Sequence, residues 1–344
     1  MRLLSRQAHV DGLRGMAVLL MVMVHIAATW NPYTATQTTV LAYVVSGLGG
    51  LAAPLFVTVF GWGAALRPLS LRQRGVRATV LLLLQWVVNL CAPHLFEPFT
   101  PGVLSLFALL VLTQPWWLAV VRRGTISTGM AMALLAVATV LASGWTGGFT
   151  WSDRIAVEGL STWMMQALLT GTYPLLPWLF FAMAGAWIQC AGELEHRRGF
   201  AVVACGGSAI SGLLLVRSLQ TGVPWALPSG EAYLTFFPAN APFLIAALAG
   251  VSILWWSALA WSHRAATLAP VGRMSLTVYV GHFLPLFWVH RWDESGGWSL
   301  NTAMLAVLIY TIICGVLARQ WFISRPDWTL ERVMRTIERR YGRD

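Results

Sequence analysis

Continuous apolar runs of ~18 residues or more recur along almost the whole chain. A run of that length has the span of a bilayer when it is helical, so the repetition specifies a polytopic all-α membrane protein. Ten spans are expected, at roughly 12–30, 44–66, 78–95, 102–121, 126–145, 172–191, 200–217, 241–262, 275–290 and 301–322. With 57% hydrophobic and 10% charged residues over 344 positions, no soluble domain is expected beside them. The first run follows Asp11 and Arg14 directly and precedes many others, so it reads as a retained helix and not as a cleaved signal. The expected organisation is a transmembrane domain over 1–322 and a basic amphipathic cytoplasmic tail over 323–344.

A net charge of +10 suggests nucleic acid, but topology accounts for it. All 23 basic residues are Arg. With the N-terminus inside, the termini and inner loops hold Arg2, Arg6, Arg14, Arg67, Arg72, Arg74, Arg77, Arg122, Arg123, Arg197, Arg198, Arg264, Arg273 and the seven from Arg319 onward, 20 of the 23. Arg154, Arg217 and Arg291 remain outside. The 13 acidic residues divide seven to six, so the asymmetry lies in Arg, as the positive-inside rule requires. This places both termini in the cytoplasm of a multi-pass protein of the plasma (inner) membrane. Nucleic acid is not expected as a partner, and membrane lipids are.

Two outer connections exceed the length of a turn. Gly144–Gly171 mixes apolar and polar residues at helical spacing and suits an interfacial helix, while Arg217–Asn240 is rich in Pro and aromatics and suits a cap over a cavity. Both are equally consistent with aromatic anchoring at the membrane surface. In the tail, Leu330, Val333, Met334, Ile337 and Tyr341 fall on one helical face, with Arg332, Arg335, Arg339 and Arg340 around the rest. That pattern fits a helix on an anionic leaflet, and no chemistry is assigned to it. Cys91, Cys190, Cys205 and Cys314 lack metal-ligand spacing and read as small buried hydrophobes, so no metal is expected.

The ionisable groups at membrane depth are His25 and His282, and no acidic residue falls in a span core. His25 lies ~16 Å above Arg14 and His282 ~14 Å above Arg273, by helical rise. Each is either a hydrogen-bonded packing residue or a base in a shared polar cavity. Asp11 caps or supports the first helix, and Arg14 either snorkels or belongs to the site. The inner loop Arg67–Arg77 carries four Arg, of which Arg74 and Arg77 share a helical face. They serve topology, or together with Arg14 they hold phosphates. An acyl-coenzyme A fits such a layout: its phosphates rest on the arginines, and its arm reaches towards His25. A His base then activates an acceptor hydroxyl or amine directly, with no acyl-enzyme.

DGLRG followed by an Arg and a His separated by ten residues (Arg14, His25), with the Arg74–Arg77 pair, resembles the membrane acyltransferases of acyltransferase family 3. The stretches Ala53–Leu66, Pro101–Leu112, Thr172–Ile188, Phe236–Gly250 and Ala269–His282 are more similar to bacterial relatives of heparan-alpha-glucosaminide N-acetyltransferase. The resemblance implies about ten spans, an acyl-CoA co-substrate (acetyl-CoA being the simplest) and no permanently bound cofactor. It also implies a sugar, glycan or other small polar acceptor modified at or across the membrane. It makes His25 catalytic and puts Arg14, Arg74 and Arg77 near the donor phosphates, while His282 is the second catalytic candidate by its depth alone.

Two rivals stand beside this. One is a carrier for an amphipathic or phosphate-bearing solute, with the same arginines as its inner gate. The other is a non-catalytic membrane subunit. The glycine-rich stretches Ser46–Pro54 and Cys205–Gly212 suit close helix contacts in any of these, and a homo-oligomer stays open.

Overall fold

The computed structural model describes residues 7–30, 39–141, 144, 147–148, 150–192, 197–292 and 296–342. Arg2, Arg6, Glu193, Glu195, Asp293, Glu294, Arg343 and Asp344, which entered the charge argument above, lie outside the described residues. The chain is predominantly helical. Six helices are long and apolar enough to cross a membrane: α1 (Ala8–Thr29), α2 (Val40–Leu66), α3 (Leu71–Cys91), α10 (Arg197–Thr221), α11 (Ala241–Ala260) and α16 (Leu300–Ser324).

Two further crossings are bent pairs, which brings the number to eight if each counts as one. α4 (Val103–Leu112) and α5 (Gln114–Arg122) meet at 69°. The expected span 102–121 is thus broken where Pro115 opens α5, because proline cannot continue the hydrogen-bond ladder of the turn before it. The segment Leu160–Thr170, made of α8 (Leu160–Met165) and one wide π turn, meets α9 (Leu175–Ala191) at 46°, with Pro174 at the break. The remaining two expected spans, 126–145 and 275–290, are shorter apolar helices. They are α6 (Thr125–Leu141) and the pair α14 (Ser275–Gly281) and α15 (Phe283–Val289).

The surface supports a lipid environment. α10 and α16 are mostly uncovered, and they expose Leu213, Leu219, Ile312 and Leu317 to the surroundings. Contiguous apolar exposure on that scale is untenable in water and natural in hydrocarbon.

The chain forms two compact units. The first comprises residues 1–56, 91–95 and 254–336. α1 is its centre, with Leu13, Ala17, Val18, Val22 and Ile26 fully buried. It packs on α16 and on the short helices α12 (Ser262–Ala265) and α13 (Ala269–Arg273). The glycines of the DGLRG motif make this possible. A Cβ on Gly12 would fall on the carbonyl of Ala265, and one on Gly272 would fall on the carbonyl of Asp11.

The second unit comprises residues 57–90, 96–253 and 337–344. Here α3 opens with a capping box, as Ser70 N–H donates to Gln73 Oε1 while Gln73 N–H reaches Ser70 Oγ. Two polar residues inside α3 are hydrogen-bonded. Gln85 donates to Asn89 Oδ1 at 2.8 Å and accepts from Leu104 N–H, and Asn89 donates to the carbonyls of Pro98 and Thr100. Close helix contact is made at Gly61 and Gly185, where a Cβ would strike the carbonyls of Ala182 and Thr58. In each of the two glycine-rich stretches expected to do so one glycine makes it, Gly49 against Val24 and Gly207 against Ala249 and Ile245, while a Cβ on Gly47, Gly50, Gly206 or Gly212 would meet nothing within 4 Å.

The long connections differ from expectation in detail. In Gly144–Gly171 the helical turn α7 (Ser152–Ile155) carries Arg154, which is buried and donates to the carbonyls of Gly148, Thr170 and Gly171. Burial brings its guanidinium down to about 10, so it stays charged at neutral pH and clamps the loop. In Arg217–Asn240 a short parallel pair forms, β1 (Ala226–Ser229) with β2 (Leu234–Phe237). This segment lines a pocket of about 350 Å³ with Glu231, Tyr233 and Asn240 on its wall.

Candidate active site

α1 carries three of the sequence-predicted residues at set heights. Asp11 is in its first turn, Arg14 one turn on, and His25 near its far end. Asp11 does not cap the helix, because α1 begins at Ala8 behind Gln7. Its buried carboxylate instead takes two cations, Arg14 Nη1 at 3.2 Å and Arg273 Nε at 3.2 Å. The motif's acid therefore ties α1 to α13, which leads through Met274 into α14 and the second histidine. Arg273, read in the sequence only as a span boundary, is part of this arrangement.

His25 and His282 come together. His25 Nδ1 lies 2.9 Å from His282 Nε2, and the rings are stacked within 6° of parallel. Both residues are buried, at 7% and 4% exposure, against Tyr279 and Phe283. The surrounding hydrogen bonds assign the tautomers. His282 Nδ1 lies 3.2 Å from the carbonyl of Val278, which can only accept, so Nδ1 carries the hydrogen of the neutral ring. Its Nε2 is then the acceptor, and His25 Nδ1–H donates to it. The consequence is that His25 Nε2 holds the lone pair, and no hydrogen bond reaches it among the described residues. Of the two rings, His25 is the one whose lone pair is left available, and His282 is the one that accepts from it.

The segment that leads to His282 is held from two further sides. Tyr310 Oη on α16 donates to the His282 carbonyl at 3.2 Å. The open N-terminus of α14 is capped by Glu331, whose carboxylate accepts from Leu276 N–H, Thr277 N–H and Thr277 Oγ1. Glu331 belongs to α17 (Leu330–Tyr341), the tail helix. Burial raises its carboxyl pKa against the lowering effect of these donors. The inward side of α17 differs from the expected one: Val333 and Tyr341 are each 51% exposed, while Glu331, Met334, Ile337 and Glu338 are partly covered.

A second imidazole pair stands one turn beyond His25 and was not anticipated. Thr29 Oγ1 donates to the His25 carbonyl and therefore accepts from His94 Nε2–H at 3.1 Å. The His94 ring stacks on His290 at 4.8 Å. Pro93-His94 lies past the end of α3, and no spacing rule connects it to His290.

Arg74 and Arg77 belong to the second unit, and Arg14 to the first. Arg74 Nη1 donates to the Leu112 carbonyl at 3.0 Å, while its Nε is buried with no hydrogen-bond partner among the described residues. Arg77 makes a two-pronged contact with Glu338 of the tail, Nε to Oε1 at 2.5 Å and Nη2 to Oε2 at 3.0 Å.

No curated protein matches the chain. The family model for the acyltransferase domain, Acyl_transf_3, matches residues 7–319, a stretch that runs from the Asp11–Arg14 doorstep through both histidines into α16. A predominantly helical chain with several helices apolar and long enough to cross a membrane, matched over nearly its whole length, belongs to acyltransferase family 3.

Proposed function

We propose that the protein moves an acyl group, acetyl in the simplest case, from cytoplasmic acyl-CoA to a hydroxyl or amine of a sugar or other small polar acceptor. The observation that carries the proposal is the His25–His282 pair, with its unused lone pair on His25 Nε2. The acceptor O–H or N–H gives its proton to that nitrogen as the acceptor atom attacks the thioester carbonyl. The C–S bond then breaks, and the coenzyme A thiolate takes the proton back from His25. No acyl-enzyme is needed, and the sum is acyl-CoA plus acceptor giving acylated acceptor plus free thiol.

His282 acts through His25. While His25 is an imidazolium, its Nδ1–H still donates to His282 Nε2, and a bond from a charged donor is stronger than a neutral one. Two stacked imidazoles in a buried site will not both be charged, so His282 remains the neutral acceptor.

The donor phosphates belong on Arg14, Arg74 and Arg77, with the pantetheine arm rising ~16 Å along α1 to His25. Support comes from Arg74 Nε, a buried donor with no hydrogen-bond partner among the described residues, and from Arg77, whose fork already grips a carboxylate in the two-pronged way it would grip a phosphate. The arginine ends then face the cytoplasm of an inner-membrane protein, and the acceptor reaches His25 from the opposite side.

The test is acceptor-dependent release of free coenzyme A thiol by the purified chain. His25→Ala should lower turnover by ~10²–10⁴-fold with CoA affinity largely kept. Solute flux without thiol release would replace this reading with a carrier.

A further inference from the structure

We infer that the C-terminal helix is a latch on the donor site, in which Glu338 occupies Arg77 until the phosphates of the donor displace it. This rests on the reading of Arg77 as a donor-phosphate residue.

α17 carries four Arg and two acidic residues, and both acids point inward. They do different things. Glu331 caps α14 in the first unit, with three donors on its carboxylate. Glu338, seven residues and two turns later, closes on Arg77 in the second unit, with one oxygen on Nε and the other on Nη2. The tail also touches the start of α3 where Gly342 lies against Gln73. Arg77 is therefore covered by a carboxylate in the geometry that suits a phosphate, three residues from Arg74, whose Nε–H has no hydrogen-bond partner among the described residues.

The contact is built to be exchanged. Arg77 and Glu338 side chains are 27% and 12% exposed, so the pair is reachable and partly solvated. A diphosphate brings more charge and more acceptor oxygens than one carboxylate, so it wins Arg77 once bound and can satisfy Arg74 as well. Losing Glu338 leaves the C-terminal turns of α17 with Arg339 and Arg340 and no anchoring acid on α3. Glu331 keeps the first turn in place. Donor binding would free the last turns of the tail, and an empty site would recapture them.

The experiment uses the full chain in detergent or nanodiscs with coenzyme A as the probe. Glu338→Gln, close in shape to the native residue, should bind CoA about 2–5-fold more tightly, and that gain should vanish in an Arg77→Ala background. In the unmodified protein, CoA should speed tryptic cleavage after Arg339 and Arg340. If Arg77→Ala weakens CoA binding but Glu338→Gln does not tighten it, and CoA leaves the tail's cleavage unchanged, the latch is refuted and the donor site stands. If CoA binding ignores Arg74→Ala and Arg77→Ala alike, the donor site itself is wrong and the latch goes with it.

Discussion

Replacing His282 tests the proposal that it orients His25 while His25 acts as the base. In His282→Phe the shape of the ring is kept, but the acceptor for His25 Nδ1–H is lost. The neutral His25 then has no reason to hold its hydrogen on Nδ1, and its imidazolium has no acceptor 2.9 Å away. A hydrogen bond from a charged group is worth ~1.5–3 kcal/mol, and both rings are buried. At ~1.36 kcal/mol per factor of ten, the expected loss in kcat is ~10–150-fold. CoA affinity should change little if, as proposed, the phosphates bind at the arginines, far from this ring. In His282→Gln the amide oxygen can take the place of Nε2 and accept from His25, so most of the loss should be recovered. The assay is acceptor-dependent thiol release with saturating donor, alongside CoA binding for each variant. Turnover of His282→Phe within threefold of the native protein would refute the tautomer argument. So would a Gln variant no better than the Phe variant, since acceptor replacement would then be irrelevant.

Asp11→Asn should lower stability by about 1–3 kcal/mol, read as a lower thermal midpoint, because Arg14 and Arg273 lose a shared carboxylate; their partial exposure keeps the cost below the ~3–5 kcal/mol of a fully buried pair. An unchanged midpoint would mean that this bridge does not hold α13 on α1. Gly272→Ala should abolish a monodisperse folded product, since its Cβ meets the Asp11 backbone, whereas Gly50→Ala should be neutral or gain up to ~1 kcal/mol of helix propensity; equal yields from the two would contradict the packing. Burial, reinforced by His290, holds His94 down at about 4, below its ordinary 6.5. Between these values the unfolded chain binds the proton and the folded one does not, so this contribution is complete above pH 6.5 and lost as pH falls towards 4. His94→Asn should flatten the fall of thermal midpoint across that window, and parallel curves would exclude His94 as its source.

The residues of the candidate site were legible to different depths. His25 stood out because a polar ring in an apolar run is costly, and its height above Arg14 followed from helical rise alone. The sequence could also place His282 at a similar height. It could not place the two side by side, because 257 residues separate them and depth leaves the direction around the bundle open. Asp11 was visible as a charged doorstep, yet its second partner Arg273 is 262 residues away. The tail's periodicity gave an amphipathic helix, but covering decided which side turned inward. Glu331 and Glu338, which hydropathy marks as the outer face, are held on the inner one by an open helix end and a guanidinium.

What the chain determined by itself is what depends on neighbours in sequence: apolar run length, charge asymmetry, the Ser70–Gln73 cap, the break at Pro115 and the family motif. The tertiary structure decided which nitrogen of His25 is free, which cations share Asp11 and what sits on Arg77. Each of these depends on a partner far along the chain, and hydrogen bonds of ~3 Å are fixed only when packing sets the rotation of every helix.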